Sequence, residues 1–232
     1  YEFLLADESI TPWEADNASH EGSLKEYVVI EVTTPGTLKD CIAAAGKDAA
    51  KIQNLKLTGN INSSDFFFMR DNMVKLSALN LKEVTIDGDA IPAYAFSTNN
   101  TSVRLFNLVL PDKLKEIGAH AFKEQPLSGS LIIPEGVIKV GDSTFRNCSN
   151  LTGTLSLPST LQEIEDNAFQ FCGFTCELLL PKSLRKIGNG AFWSCSSLYG
   201  NIVLPEGLVE IGNGAFYGCN NFIGSLEIPQ TV

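Results

Sequence analysis

One spacing governs what this chain can fold into. Pro111, Pro134, Pro158, Pro181, Pro205 and Pro229 each close an apolar run and follow one another at intervals of 23, 24, 23, 24 and 24 residues. Phe122, Phe145, Phe169, Phe192 and Phe216 keep the same time, at 23, 24, 23 and 24. A unit repeated at a fixed period of this length cannot bury its apolar face alone and is stable only when stacked on its neighbours. The sequence therefore predicts a solenoid, and a single elongated domain, because such a fold grows by adding coils.

Within the unit, strand alternation turns Leu155 and Leu157 inward and Thr154 and Ser156 outward. A second extended piece, SLRKIG, points Leu184 and Ile187 in and Arg185 and Lys186 out; Gly188 then supplies a turn conformation. The following Ala-Phe pair is read as a short helical segment, with the five phenylalanines stacked as an aromatic spine. Residues one period apart become neighbours, so Glu116, Lys139, Glu163, Lys186 and Glu210 form an outward row alternating in sign at every step. Opposite charges facing across strands stabilise by roughly 0.2 to 1 kcal/mol per pair, and a one-coil slip would oppose like charges. The row is a register device.

The wording of the unit, IGxxAFxxCxxLxGxLxLP, resembles the BspA-like branch of bacterial leucine-rich repeat surface proteins. The match is sharp from about Leu110 onward and weaker from Val28 to Val109. The resemblance implies an α/β fold, a right-handed leucine-rich repeat solenoid with a parallel sheet and repeats of 23 or 24 residues. It also implies a secreted or surface-attached protein of host-associated bacteria that binds proteins or other surfaces and carries no active site. Three departures stand out: Glu165 where Gly118, Gly141, Gly188 and Gly212 stand, Cys176 where Gly129, Gly153, Gly200 and Gly224 stand, and Gln125 in the cysteine position.

Residues 1 to 26 are acidic and irregular, and read as a linker or the end of an upstream module, with Trp13 and His20 incidental to it. Residues 27–232 are assigned to the solenoid, with 27–54 as an N-terminal cap, 55–110 as irregular repeats and 111–232 as regular ones. In the cap, Tyr27 to Val32 reads as a strand. Thr37 and Asp40 resemble a capping box, and Leu38, Cys41, Ile42, Ala45 and Ala49 fall at helical spacing. Leu57, Leu81, Leu110, Ile133, Leu157, Leu180, Leu204 and Ile228 step by 24, 29, 23, 24, 23, 24 and 24, the long step marking an insertion around Asp87 to Pro92. Ser64 and Asp65 before Phe66, Phe67 and Phe68 read as a helix start, with the rings in the core. The opening YEFLLADESI lacks the basic start and apolar core of a signal peptide, so a targeting segment is expected outside this chain. IPQTV breaks off where a new repeat would start, and the stack is expected to continue or to be covered there.

Seventeen basic against 27 acidic residues give a net charge of −10 with no basic cluster, which argues against nucleic acid and anionic membranes as partners. No run of 18 apolar residues occurs, so the chain as given is not expected to span a membrane. Cys148, Cys172, Cys195 and Cys219 occupy one repeat position and read as a ladder of buried thiols. With no CxxC pair and no nearby histidine, no metal or cofactor site is expected. The two histidines, His20 and His120, have no repeated catalytic partner, and no nucleophile or phosphate-loop motif occurs, so no enzyme and no catalytic residue are predicted.

Two exposed features remain as binding candidates. The outward row Val109, Ile132, Ser156, Leu179 and Val203, flanked by Lys56, Asn80 and Glu227, suits a protein partner of host or bacterial surface origin. Against it stands lateral packing of β-branched side chains along a sheet. Trp193, Tyr199 and Tyr217 are the alternative, rim aromatics on which a carbohydrate could stack, or else half-buried cover over loops. A passive spacer is the third reading.

Overall fold

The computed structural model describes residues 26–97, 102–224 and 227–232. Trp13, His20 and the acidic segment up to residue 25 lie outside the described residues.

The first strands fall where the apolar runs predict them. β1 (Val28–Val32), β2 (Asn54–Ile61) and β3 (Ala78–Ile86) pair in parallel and in sequence order, and β3 pairs on with β5 (Asn107–Val109). A second sheet collects one two-residue strand per coil: β4 (Ala90–Ile91), β6 (Glu116–Ile117), β8 (Lys139–Val140), β10 (Glu163–Ile164), β11 (Lys186–Ile187) and β13 (Glu210–Ile211). Two short parallel pairs complete the set, β7 (Leu131–Ile132) with β9 (Leu155–Ser156), and β12 (Tyr199–Gly200) with β14 (Asn221–Phe222). Each turn of the chain thus returns to the same sides one step further along. This is a leucine-rich repeat stack of parallel strands with few helices.

The register follows the charge row. Glu116 faces Lys139, Lys139 faces Glu163, Glu163 faces Lys186, and Lys186 faces Glu210. Lys139 Nζ lies 3.9 Å from both Glu116 and Glu163. Glu165 joins this row from the glycine position, 3.4 Å from Lys139 and 3.1 Å from Lys186, and its hydrogen bond raises the Lys186 pKa.

That glycine position is not a left-handed turn, contrary to the sequence expectation. Gly118, Gly141, Gly188 and Gly212 are absent from the positive-φ set, and their constraint is proximity. A Cβ on any of them would sit 2.3 to 2.7 Å from a backbone nitrogen of the preceding coil. Glu165 carries that Cβ, and its coil-to-coil bond to the Val140 carbonyl is the longest of the series, 3.0 Å against 2.7 to 2.9 Å at the four glycines.

The Ala-Phe segments are turns, not helices. Each turn is bracketed by two left-handed residues four apart: His120 and Glu124, Ser143 and Asn147, Asn167 and Phe171, Gly190 and Ser194, Gly214 and Gly218. In the first four of these turns, the amides of both bracketing residues and of the phenylalanine between them donate to carbonyls of the next coil at 2.7 to 3.0 Å. The spine runs through these turns. Phe96, Phe122, Phe145, Phe169, Phe192 and Phe216 stack at successive centroid distances of 5.7, 5.4, 5.7, 5.3 and 5.5 Å. Coils in this part of the stack satisfy their backbone sideways, against the next coil.

Helices occur in the first two coils. α1 (Leu38–Ala44) buries Leu38 and Ile42; Ala45 is its exposed C-cap, and Ala49 belongs to a separate 3-10 turn. Thr37 does not cap α1, because its hydroxyl donates to the Thr34 carbonyl. The cap comes from the next coil. Asp65, in the first turn of α2 (Ser63–Asn72), accepts from the amides of Leu38 at 2.9 Å, Gly36 at 2.7 Å and Asn62 at 3.0 Å. Phe66 is buried and meets Phe96 edge-on at 6.1 Å, while Phe67 and Phe68 are only partly buried.

The thiol ladder has a function in packing. Cys148, Cys172, Cys195 and Cys219 are free thiols, and each Sγ donates to the phenylalanine carbonyl of the preceding coil, at 3.2, 3.2, 3.0 and 3.0 Å. Gln125, which replaces the first cysteine, does the same through Nε2 to Phe96 O at 2.7 Å. A thiol can donate only when protonated. Burial pushes the Cys219 thiol up to about 11 and pushes Cys148, Cys172 and Cys195 well up from the ordinary value. The stability these thiols contribute is complete below the unfolded thiol value of about 8.5 and is lost as pH rises from there through the folded values. Urea midpoints are expected to fall from pH 8 to pH 11 by the equivalent of up to about 1.4 kcal/mol per pH unit for each thiol. Cys195→Val should reduce that slope by about a quarter, one thiol of the four, and a flat wild-type profile would refute the ladder's role.

Candidate functional site

The outward row is exposed where alternation put it. Leu131, Leu155, Leu178 and Ile202 are buried, whereas Ile132, Leu179 and Val203 between the inward positions are 52, 73 and 68% exposed, and Ser156 is exposed as well. Val109 is half-buried in β5, where it faces Asn80. Asn80 is not part of a polar rim. It is buried, and its Oδ1 accepts from the Lys82 amide two residues on, beside a register shift between β2 and β3. Lys56 pairs with Glu83 at 2.8 Å, and the pairing holds the Glu83 carboxyl below its ordinary pKa.

Only part of the row lies on paired strands. Ile132 faces Ser156 directly, but Leu179 and Val203 carry no ladder among the described residues. The interruption coincides with Cys176. At the equivalent Gly153 a Cβ would stand 2.4 Å from Ser130 Oγ and 2.7 Å from its amide nitrogen. Cys176 places a side chain there, and the amide of Leu155 turns to its Sγ at 3.4 Å in place of a backbone carbonyl. The continuous sheet expected behind this face is therefore divided.

The aromatics separate into two places. Trp193 and Tyr217 stand on successive Ala-Phe turns and stack on each other, with ring centroids 4.3 Å apart at 33°. Tyr199 lies in β12, opposite Asn221, and makes no ring contact with them among the described residues. Space for the indole is made by Gly214, at φ 62°: a Cβ there would stand 2.9 Å from Trp193 Cζ3. The same row holds two groups that residue type alone did not single out, Arg146 and Gln170. Gln170 is 8% exposed with Oε1 lacking a protein partner, and Arg146 Nε is buried without one. The sequence does show the first left-handed position reading His120, Ser143, Asn167 and then Gly190 and Gly214, a switch that marks the coils of the aromatic pair and not these two polar groups. Among the described residues no cluster of three or more His, Cys, Asp or Glu side chains is arranged to hold a metal ion, and no helix is long and apolar enough to cross a membrane.

No curated protein matches this chain. Among solved structures, a leucine rich repeat protein of T. pallidum is 30% identical, with 57% of this chain and 60% of that chain covered and a TM-score of 0.49. A leucine rich cell surface protein of Faecalibacterium prausnitzii A2-165 is 23% identical, over 81% of this chain and 44% of that one, TM-score 0.48. A leucine-rich repeat protein of Bacteroides ovatus ATCC 8483 is 21% identical, over 82% and 59%, TM-score 0.41. The chain spans less than two thirds of each. The family profile described as BspA type leucine rich repeat region matches six copies, across residues 29–152, 64–197 and 115–232. Those matches run through every coil built on the phenylalanine spine and the thiol ladder, and the chain belongs to the BspA type leucine-rich repeat family.

Proposed function

We propose that this chain is a non-catalytic interaction module, secreted or held at a bacterial surface, that binds a protein partner through the outward face carrying Ile132, Leu179 and Val203. Family membership supports an interaction or structural role. The observation that favours binding over a passive spacer is the exposure of Leu179 and Val203, 73 and 68%, on consecutive coils. Side chains that serve only lateral packing cover one another, and these two remain open to solvent. Contiguous exposed apolar surface marks interaction sites where scattered single residues do not.

The test is a binding screen against purified host extracellular and bacterial surface proteins, with Leu179→Asp and Val203→Asp combined. Partner affinity is expected to fall at least about tenfold, or 1.4 kcal/mol, at an unchanged melting temperature, because neither residue contributes much buried area. Lost stability with retained binding would identify lateral packing instead. Retention of both would remove the site from this face.

A further inference from the structure

We propose that Asn213 is a modification site, converted to aspartate and isoaspartate by spontaneous deamidation, and that Asn189, in the same local sequence, is not. The chain holds Asn-Gly twice, each time within IGNGAF, at Ile187 to Phe192 and at Ile211 to Phe216. In this dipeptide the amide nitrogen that follows asparagine is unshielded by a side chain and reaches its Cγ most freely. The Gly214 nitrogen loses its proton and bonds to Asn213 Cγ, the Cγ–Nδ2 bond breaks, and ammonia leaves. Water then opens the succinimide, at Cγ to give aspartate or at the main-chain carbonyl to give isoaspartate. No oxidant, cofactor or enzyme is needed. By local sequence the two sites are equal, so only contacts between coils can separate them.

The main chain holds both asparagines alike. Asn189 N donates to Asp166 Oδ1 at 2.7 Å, and its carbonyl accepts from the Asn167 amide at 2.8 Å. Asn213 N donates to Asn189 Oδ1 at 2.8 Å, and its carbonyl accepts from the Gly190 amide at 3.0 Å. The reacting groups differ. Asn189 Nδ2 donates to Asp166 Oδ2 at 3.0 Å, its Oδ1 is engaged by Asn213, and its attacking nitrogen, that of buried Gly190, is committed to the Asn213 carbonyl. Asn213 and Gly214 are exposed, and among the described residues nothing bonds the Asn213 carboxamide and no carbonyl accepts from the Gly214 amide. The amides of His120, Ser143, Asn167 and Gly190 at the same turn position all donate to the coil that follows, so among the described residues Gly214 is the exception. Giving up even one net hydrogen bond slows a reaction about fivefold, and Asn189 must give up three. Isoaspartate at 213 would lengthen the main chain by a methylene between two bonds that tie this turn to the preceding coil, and either product adds a negative charge. A molecule seated on this turn and accepting from the Gly214 amide would suppress the reaction.

The test incubates the 232-residue chain in warm, mildly alkaline buffer, with and without denaturing urea, and follows both sites by mass spectrometry. Glu206 and Glu210 lie between them, so a glutamate-specific protease puts the two asparagines on separate peptides. In the folded chain Asn213 is expected to deamidate at least about tenfold faster than Asn189, and in urea the two rates should converge. Asn213→Gln should end the reaction at 213 and leave Asn189 unchanged, because glutamine closes the corresponding ring far more slowly. In the deamidated product the Gly190 amide should lose hydrogen-exchange protection, while the Asn167 amide keeps its own. The proposal is overturned if Asn213 stays intact in the folded chain while the urea sample reacts, or if the folded chain deamidates at both sites at one rate.

Discussion

Phe192→Ala is expected to lower stability by about 3 to 5 kcal/mol, read as a shift in the urea midpoint at unchanged slope. Phe192 is fully buried, stacked on Phe169 at 5.3 Å and on Phe216 at 5.5 Å. Its backbone is fixed as well: the amide donates to Ala215 O, and the carbonyl accepts from the Cys195 amide and the Cys219 thiol. Coils tied on both sides cannot close over the lost ring. Phe96 is the informative comparison, because its irregular coil suggests from sequence a site that relaxes more easily. The structure removes that distinction. Phe96 is fully buried, stacked on Phe122, edge-on to Phe66, and its carbonyl is held by Gln125. Phe96→Ala should therefore cost about as much as Phe192→Ala. A markedly smaller loss would mean that the coil before the regular repeats yields, and that the spine begins only at Phe122.

Asp65→Ala should destabilise the first two coils by about 3 kcal/mol or more. The carboxylate is buried and accepts from three backbone amides, two of them in the preceding coil. Hydrogen bonds to a charged group contribute about 1.5 to 3 kcal/mol each, and stranding buried donors adds a desolvation cost. Asp65→Asn keeps the shape but turns an NH2 toward donors, so it should recover less than half of the loss. Hydrogen exchange provides the local readout: the Gly36 and Leu38 amides should lose protection while those of the regular coils do not. Unchanged protection at Gly36 and Leu38 would show that α1 holds its own terminus.

Period and residue type alone fixed the stack, the spine and the charge register, because each depends only on which residues recur at 23 or 24 positions. Residues one period apart become neighbours, so Glu116 opposite Lys139 and Phe169 against Phe192 follow by counting. Outward exposure of Ile132, Leu179 and Val203 followed from strand alternation in the same way. Where two coils meet off the repeated pattern, counting gives no answer. The Ala-Phe segment could have been helix or turn by local propensity, and in the structure its amides bond to carbonyls of the next coil instead of within a helix. Thr37 looks like a cap in sequence, yet Asp65, 28 positions later, holds the helix start from across the stack through the Gly36 and Leu38 amides. Gly188 reads as a turn residue, but its constraint is the backbone of Asp166 at 2.5 Å. Gln170 and Arg146 stayed unremarked for the same reason: each holds a buried polar atom without a protein partner. Only the tertiary structure decides which polar atoms are left without a partner, because that depends on contacts between coils rather than on any residue's own type.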